Sequence, residues 1–311
     1  MTELSPSHPD FSRPDLPQRD FFYDVPGAPG GGTERLAVTH VAPRTPYVPR
    51  RPDTPRPAPA AEAAPAAPTA VLLHGAGGGS KERLRPLLAE FAAQGCGALA
   101  LDFSGHGESS GALPELSLRR RYEQAVGVID GQVAADTPLV LVGFSMSGQT
   151  AADLARHYGD RVAALALCAP AVYPAEAWDL PFGAGDGRFS QLIRTPDRWR
   201  DSPALDALRA FAGRAVLVVP GTDEIIPAAV TEAVQDALTA RARYTRVALP
   251  DADHFLGLWF RDRADSRRDL VTTLLDGDGD GDGDRDRDRD RDRDGDSDSD
   301  GDGGRTAARG R

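Results

Sequence analysis

Short apolar runs alternate with segments of helical spacing along most of this chain. Continuous runs occupy residues 70–73, 98–101, 139–142, 163–167, 215–219 and 247–249. A strand that is apolar at every position, rather than at every second one, is covered on both faces, the state of a strand in a parallel sheet layered between helices. Between the runs, apolar residues recur three and four apart: Leu84, Leu87, Leu88 and Phe91; Tyr122, Ala125, Val126 and Ile129; Val230, Val234 and Leu238. That spacing gathers them on one helix face, the face that packs on the sheet. The repeated alternation predicts an α/β fold with a mostly parallel central sheet and helices on both faces. Open sheets of this kind collect their ligands at the carboxyl ends of the strands, so the loops there are where chemistry is expected.

One such loop is Gly143-Phe144-Ser145-Met146-Ser147-Gly148, which directly follows Pro138-Leu139-Val140-Leu141-Val142 and opens a helix-like segment. A serine at the apex of a sharp strand-to-helix turn is held in a strained backbone conformation that lifts its hydroxyl above the sheet edge. Only small residues fit two positions to either side. Gly143 fills the first of these positions, and Ser147 stands at the second, where a glycine is usual. A serine hydroxyl is a poor nucleophile near neutral pH. It needs an imidazole to take its proton, and the imidazole needs an anion to hold its tautomer and its charged form.

Both groups follow later, again at strand ends: Asp223 within Pro220-Gly221-Thr222-Asp223-Glu224-Ile225-Ile226-Pro227, then His254 within Pro250-Asp251-Ala252-Asp253-His254-Phe255. Of the six histidines, His8 and His40 lie in the N-terminal stretch, His74 precedes a glycine run, His106 lies in a Gly-His-Gly loop, and His157 lies near the far end of the helix after the serine. His254 alone follows a strand end late enough to face Ser145. The acid is less sharply defined. Asp223 is left on its turn if Pro227 begins the next helix, but Glu224 is adjacent to it, and Asp251 and Asp253 lie close to His254.

The run Thr69-Ala70-Val71-Leu72-Leu73 leads into His74-Gly75-Ala76-Gly77-Gly78-Gly79-Ser80, a glycine-rich loop ahead of a helix expected to be capped by Ser80. Such a loop can aim a backbone N–H at a developing oxyanion; Ala76 is the candidate, with the N–H of Met146 as second donor. Strand, glycine loop, helix and then Asp102 is also the layout of a dinucleotide fingerprint. The third fingerprint glycine, however, falls on Ser80, and that reading leaves Ser145, Asp223 and His254 unexplained. A phosphate-binding P-loop fits less well, because Lys81 follows Ser80 and the Gly-Lys-Ser/Thr order is absent. The motifs imply no cofactor and no metal.

Taken in order, Leu73-His74-Gly75-Ala76, Asp102-Phe103-Ser104-Gly105-His106-Gly107-Glu108-Ser109, Gly143-Phe144-Ser145-Met146-Ser147-Gly148, Gly221-Thr222-Asp223-Glu224-Ile225-Ile226-Pro227 and Asp253-His254-Phe255 give a pattern that resembles the α/β-hydrolase superfamily, in its bacterial serine esterase, lipase and aminopeptidase-like branch. The likeness spans roughly residues 20–42 and 69–275. It implies Ser145 as nucleophile, His254 as base and Asp223 as acid, in a carboxylic-ester hydrolase that works through an acyl-enzyme on a small or medium ester. The same constellation serves amide or C–C hydrolysis, acyl transfer and acyl elimination. A noncatalytic ligand-binding member is a further alternative. Two departures stand out: Ser147 replaces a glycine, and the acid loop is one residue shorter than its common form, which keeps Glu224 open as the acid.

Residues 169–212 break the strand and helix rhythm with Tyr173, Trp178, Phe182, Phe189 and Trp199 among Pro and Gly, and are expected to form a short cap over Ser145. Phe103, Phe144, Trp178 and Trp199 are candidate pocket residues, with Met146 beside them. Residues 20–275 are then the hydrolase domain, preceded by a flexible stretch at 1–19 and interrupted at 43–68 by a Pro- and Ala-rich insertion between two strands. Residues 276–302 alternate Asp with Gly, Arg or Ser and hold nothing to bury, so 276–311 is expected to be a disordered tail. Its start imitates a calcium loop, but the twelfth position from Asp276 is Arg287 rather than Glu. A net charge of −11 argues against nucleic acid or an anionic membrane as partner. The two cysteines, Cys96 and Cys168, both border apolar runs and no charged-then-apolar leader begins the chain, which points to the cytoplasm and to buried thiols. No apolar run approaches the roughly 20 residues a membrane span needs.

Overall fold

A computed structural model describes residues 18–27, 32–47, 66–183 and 187–275. Their strands are β1 (Gln18–Pro26), β2 (Thr33–Val41), β3 (Thr69–Leu73), β4 (Gly97–Leu101), β5 (Leu139–Phe144), β6 (Val162–Cys168), β7 (Arg214–Pro220) and β8 (Arg243–Leu249). They form an eight-stranded sheet in the order β1-β2-β4-β3-β5-β6-β7-β8. β1 and β2 pair antiparallel, β2 runs antiparallel to β4, and every pairing from β4 to β8 is parallel. The helices are α1 (Lys81–Ala93), α2 (Leu118–Gln132), α3 (Ser147–Tyr158), α4 (Arg188–Arg194), α5 (Pro203–Ala210), α6 (Ala228–Thr239), α7 (Leu256–Asp262) and α8 (Ala264–Leu275).

The apolar runs serve both faces because successive side chains of a strand point to opposite sides. Val71, Leu73, Leu139, Leu141, Leu165, Leu167, Ala215 and Leu217 join one core with α2, α3, α5 and α6. Their neighbours Ala70, Leu72, Val140, Val142, Ala164, Ala166, Val216 and Val218 join a second core with α1, α7 and α8. β8 departs from the expectation: it begins at Arg243, not at residue 247, and its residues are exposed or half-buried throughout. As the last strand of the sheet it has a neighbour on one side only, so its alternating polar positions face water.

Several further expectations are corrected. Residues 18 and 19 belong to β1 rather than to a flexible stretch. The start of the 43–68 segment is docked, since the Arg44 N–H donates to the Ala92 carbonyl at 2.9 Å and Tyr47 packs against the second core; residues 48–65 lie outside the described residues, as do 1–17 and the whole of 276–311. Of the 169–212 segment only the first part departs from the strand and helix order, with a short 3₁₀ turn at Ala175–Ala177, α4 and another turn at Arg198–Asp201. Its last part, α5, is the β6-to-β7 crossover helix, with Leu205 and Leu208 buried in the first core. The side chain of Ser80 makes no capping bond; the Lys81 N–H donates instead to Asp102 Oδ1 at 2.7 Å. A carboxylate is the stronger acceptor at a helix N-terminus. Pro227 is the residue before α6 rather than its first residue. Both cysteines are buried and free, and burial pushes the Cys96 thiol up to about 12 and the Cys168 thiol up as well. Among the described residues, no helix is long and apolar enough to cross a membrane.

Candidate active site

Strand β5 delivers Ser145 to the carboxyl edge of the sheet with φ +49, in the left-handed region that a residue with a Cβ rarely adopts. Neighbouring backbone holds it there. The Ser145 N–H donates to the Cys168 carbonyl at 2.9 Å, and the Ser145 carbonyl accepts from the N–H groups of Gly148 (2.8 Å) and Ala171 (2.9 Å). Gly143 is a packing requirement, since a Cβ there would stand 2.4 Å from the Ser147 carbonyl and 2.9 Å from the Ala151 Cβ. At Ser147 a side chain is tolerated because its hydroxyl finds partners, donating to the His74 carbonyl at 2.7 Å and accepting from Arg121 Nη2 at 2.7 Å.

Ser145, His254 and Asp223 meet although they lie on three separate loops. His254 Nε2 is 3.0 Å from Ser145 Oγ, and His254 Nδ1 is 3.0 Å from both Asp223 oxygens. A carboxylate can only accept, so Nδ1 carries the proton and Nε2 is left as acceptor for the serine hydroxyl. The separation of the acid and base loops is set by the backbone: the Gly221 N–H donates to the Leu249 carbonyl (2.8 Å) and the Thr222 N–H to the Ala252 carbonyl (3.1 Å). That approach needs glycine, because a Cβ on residue 221 would fall 1.9 Å from the Pro250 carbonyl oxygen. Asp223 Oδ1 also accepts from the N–H groups of Ile225 and Ile226 at 2.9 and 2.8 Å, which orients the carboxylate. Of the other candidate acids, Glu224 and Asp251 are exposed, and Asp253 accepts from the Phe255 N–H at 2.9 Å.

The glycine loop lies beside the serine: a Cβ on Gly75 would be 3.1 Å from Ser145 Cβ and 3.8 Å from its Oγ. The N–H groups of Ala76 and Met146 donate to no other described residue. The parts of the loop that a nucleotide would need are occupied. Asp102, almost fully buried, holds the first N–H of α1, and the buried Lys81 ammonium is 2.8 Å from Glu82. His74 is buried and neutral: desolvation, then the nearby Arg121 charge, holds its pKa well below the ordinary value. Its Nδ1–H donates to the Gly75 carbonyl at 2.6 Å and its Nε2 accepts from the Phe103 N–H at 3.2 Å, so its 4.0 Å approach to Asp102 is no ion pair. Among the described residues no group of three or more His, Cys, Asp or Glu side chains converges as a metal site.

The candidate pocket residues separate. Met146 packs with Leu118, Ala177 and Phe189, and Tyr173, Trp178 and Phe182 lie against that cluster. Phe144 instead joins the second core, edge-on to Phe260 at 6.2 Å. Phe103 is fully buried beneath the Arg121 guanidinium, whose Cζ is 3.8 Å from the ring centre. Trp199 packs on the first core with Arg200 over its face. Leu118 and Arg121 join the site without a motif of their own. The signal was there: in α2 the buried face runs through Leu118, Arg121, Ala125, Val128 and Ile129, one position round from the stripe through Tyr122 and Val126.

This sheet order, with a serine, histidine and aspartate at its carboxyl edge, is the architecture of an α/β hydrolase, and the comparisons with known proteins agree. The model of the alpha/beta hydrolase family matches residues 70–285. The chain belongs to that family. No curated protein matches the sequence significantly. Among solved structures, a putative hydrolase from Agrobacterium vitis is similar over 82% of this chain and 99% of its own, at 19% identity and a TM-score of 0.55. Est1E from Butyrivibrio proteoclasticus is similar over 81% and 97%, at 15% identity and a TM-score of 0.53. A thioesterase domain from the curacin biosynthetic pathway is similar over 82% and 99%, at 17% identity and a TM-score of 0.55. At these identities the likeness is one of fold.

Proposed function

We propose that this protein is a serine hydrolase that cleaves a small or medium carboxylic ester through an acyl-enzyme on Ser145. The observation that carries this reading is the unbroken chain from Ser145 Oγ to His254 to Asp223, each step 3.0 Å, with the serine on a left-handed turn. In this reading His254 takes the hydroxyl proton as Ser145 attacks the carbonyl, then returns it to the departing alcohol. Asp223 fixes the imidazole and stabilises its charged form. The N–H groups of Ala76 and Met146 receive the negative charge on the carbonyl oxygen. Phe189, Tyr173 and Trp178 of the cap, with Met146 and Leu118, form an apolar wall for the acyl or alcohol part, and Phe144 and Trp199 are assigned to the cores. The substrate is a small molecule. Two buried, unpaired thiols support a cytoplasmic site of action.

Labelling with a fluorophosphonate, followed by a panel of esters, thioesters and amides of graded chain length, tests this. A single adduct on Ser145 and turnover of esters above amides are expected. Ser145→Ala should abolish labelling and, like His254→Ala, lower kcat on the order of 10⁴-fold in a folded protein. Asp223→Asn should lower kcat by hundreds-fold or more, while Glu224→Gln stays within about two-fold of wild type. Activity retained in Ser145→Ala would end the proposal, and a larger loss in Glu224→Gln than in Asp223→Asn would reassign the acid.

A further inference from the structure

Arg121 heads the largest fully buried side chains of the described residues, and among those residues it bonds a carbonyl and a hydroxyl but no carboxylate. Its Nη2 donates to the His74 carbonyl at 2.6 Å and to Ser147 Oγ at 2.7 Å. Ser147 Oγ donates in turn to the same carbonyl at 2.7 Å, which closes a three-membered ring of hydrogen bonds. The Phe103 ring lies 3.8 Å under Cζ, and Nε and Nη1 have no partner among the described residues. Taking a guanidinium out of water without an acid costs more than neutral acceptors and one ring face return. A methionine would fill similar space without that penalty, so packing does not account for an arginine here.

The two acceptors differ in where they lead. His74 opens the loop whose residue 76 carries one proposed oxyanion donor, and Ser147 begins α3 directly after Met146, which carries the other. Resting on the serine-hydrolase reading above, we propose that Arg121 is a positioning residue for the oxyanion hole, clamping the His74-Gly75-Ala76 loop to the first turn of α3 and so setting the separation of the Ala76 and Met146 N–H groups. Ser147 is the second half of the clamp. This gives a reason for a serine where the turn pattern has a glycine: a glycine would leave Arg121 a single acceptor. The α2 helix, which supplies no reacting group, is thereby made part of the active site.

The test is kinetic, because a merely structural arginine and a positioning one differ in what they do to the transition state. With an activated short ester, Arg121→Met is expected to lower kcat on the order of 10²-fold, comparable to loss of one oxyanion donor, with KM within about two-fold. The inhibition constant of a trifluoromethyl ketone, which adds to the serine and places its oxyanion in the hole, should rise by the factor by which kcat/KM falls. Ser147→Gly, which cuts one arm, should show the same split at about tenfold, and the double variant should fall little further than Arg121→Met, as shared networks do. A folded Arg121→Met with wild-type kcat, or one whose KM rises while the ketone binds as before, overturns the positioning role and leaves the serine mechanism standing. A wild-type protein that is neither labelled by fluorophosphonate nor active on any ester defeats both proposals. Should Arg121→Met fail to fold, Ser147→Gly decides alone: unchanged kcat in that variant overturns the clamp.

Discussion

Asp153 shows how one buried carboxylate on the helix behind Ser145 ties stability to pH. It accepts from Gln149 Nε2 at 2.9 Å and from the exposed Arg156 at 3.2 Å, and burial pushes its pKa up from 3.8 to about 6. The folded state therefore holds the proton to higher pH than the unfolded chain does. Asp153 costs nothing below about pH 4, destabilises progressively as pH rises through 6, and exacts a constant penalty above that. Asp153→Asn is expected to stabilise by about 1–3 kcal/mol at pH 7.5, at 1.36 kcal/mol per pKa unit, with no gain near pH 4. Denaturant titrations at the two pH values check it. Arg121 shows the limit of single-residue reading. In sequence it is the third of three consecutive arginines, and in the fold its neighbours Arg119 and Arg120 pair with Glu123 while Arg121 turns inward beneath the elbow.

At the scale of elements, the site is made by loops that different strands bring to one edge. β5, β7 and β8 supply the serine, aspartate and histidine, and β3 supplies the glycine loop. The segment between β6 and α5 lies against this floor through Met146. Phe189 on α4 meets Met146 and packs against Phe182, with ring centres 4.6 Å apart and planes tilted by 44°, whereas Trp199 leans on the first core. Phe189→Ala is therefore expected to shift chain-length preference and raise KM severalfold with kcat on an acetate ester little changed, because the lost contacts are remote from the reacting carbonyl. Trp199→Ala should instead lower the melting temperature and leave the preference alone. An ester panel with thermal melts on both variants separates the two, and identical effects would show that the cap acts as one unit.

For the molecule as a whole, the stretch after α8 stands out by its charge. Residues 276–302 contain no apolar side chain, and α8 ends at Leu275 with Leu270, Val271 and Leu274 already buried. Deleting 276–311 is expected to leave the melting temperature within about 2 °C and turnover unchanged, since a segment whose only apolar side chains are those of Ala307 and Ala308 has little apolar area to bury; a marked loss in either would reveal contacts made by that segment. The alternation of strand and helix, the parallel sheet and the order of Ser145, Asp223 and His254 are legible in the chain alone, because apolar periodicity and the small residues of a sharp turn are local properties. The chain also marks Asp223 as the acid to prefer while leaving Glu224 beside it. Which carboxylate reaches His254 depends on backbone bonds between the loops after β7 and β8, and so emerges with the folded chain. The same holds for the assignment of α5 to the crossover rather than the cap, the placing of Phe144 in the second core, and the gathering of His74, Arg121 and Ser147. Those contacts join residues tens of positions apart, and nothing in a local pattern of polarity records which of them will meet.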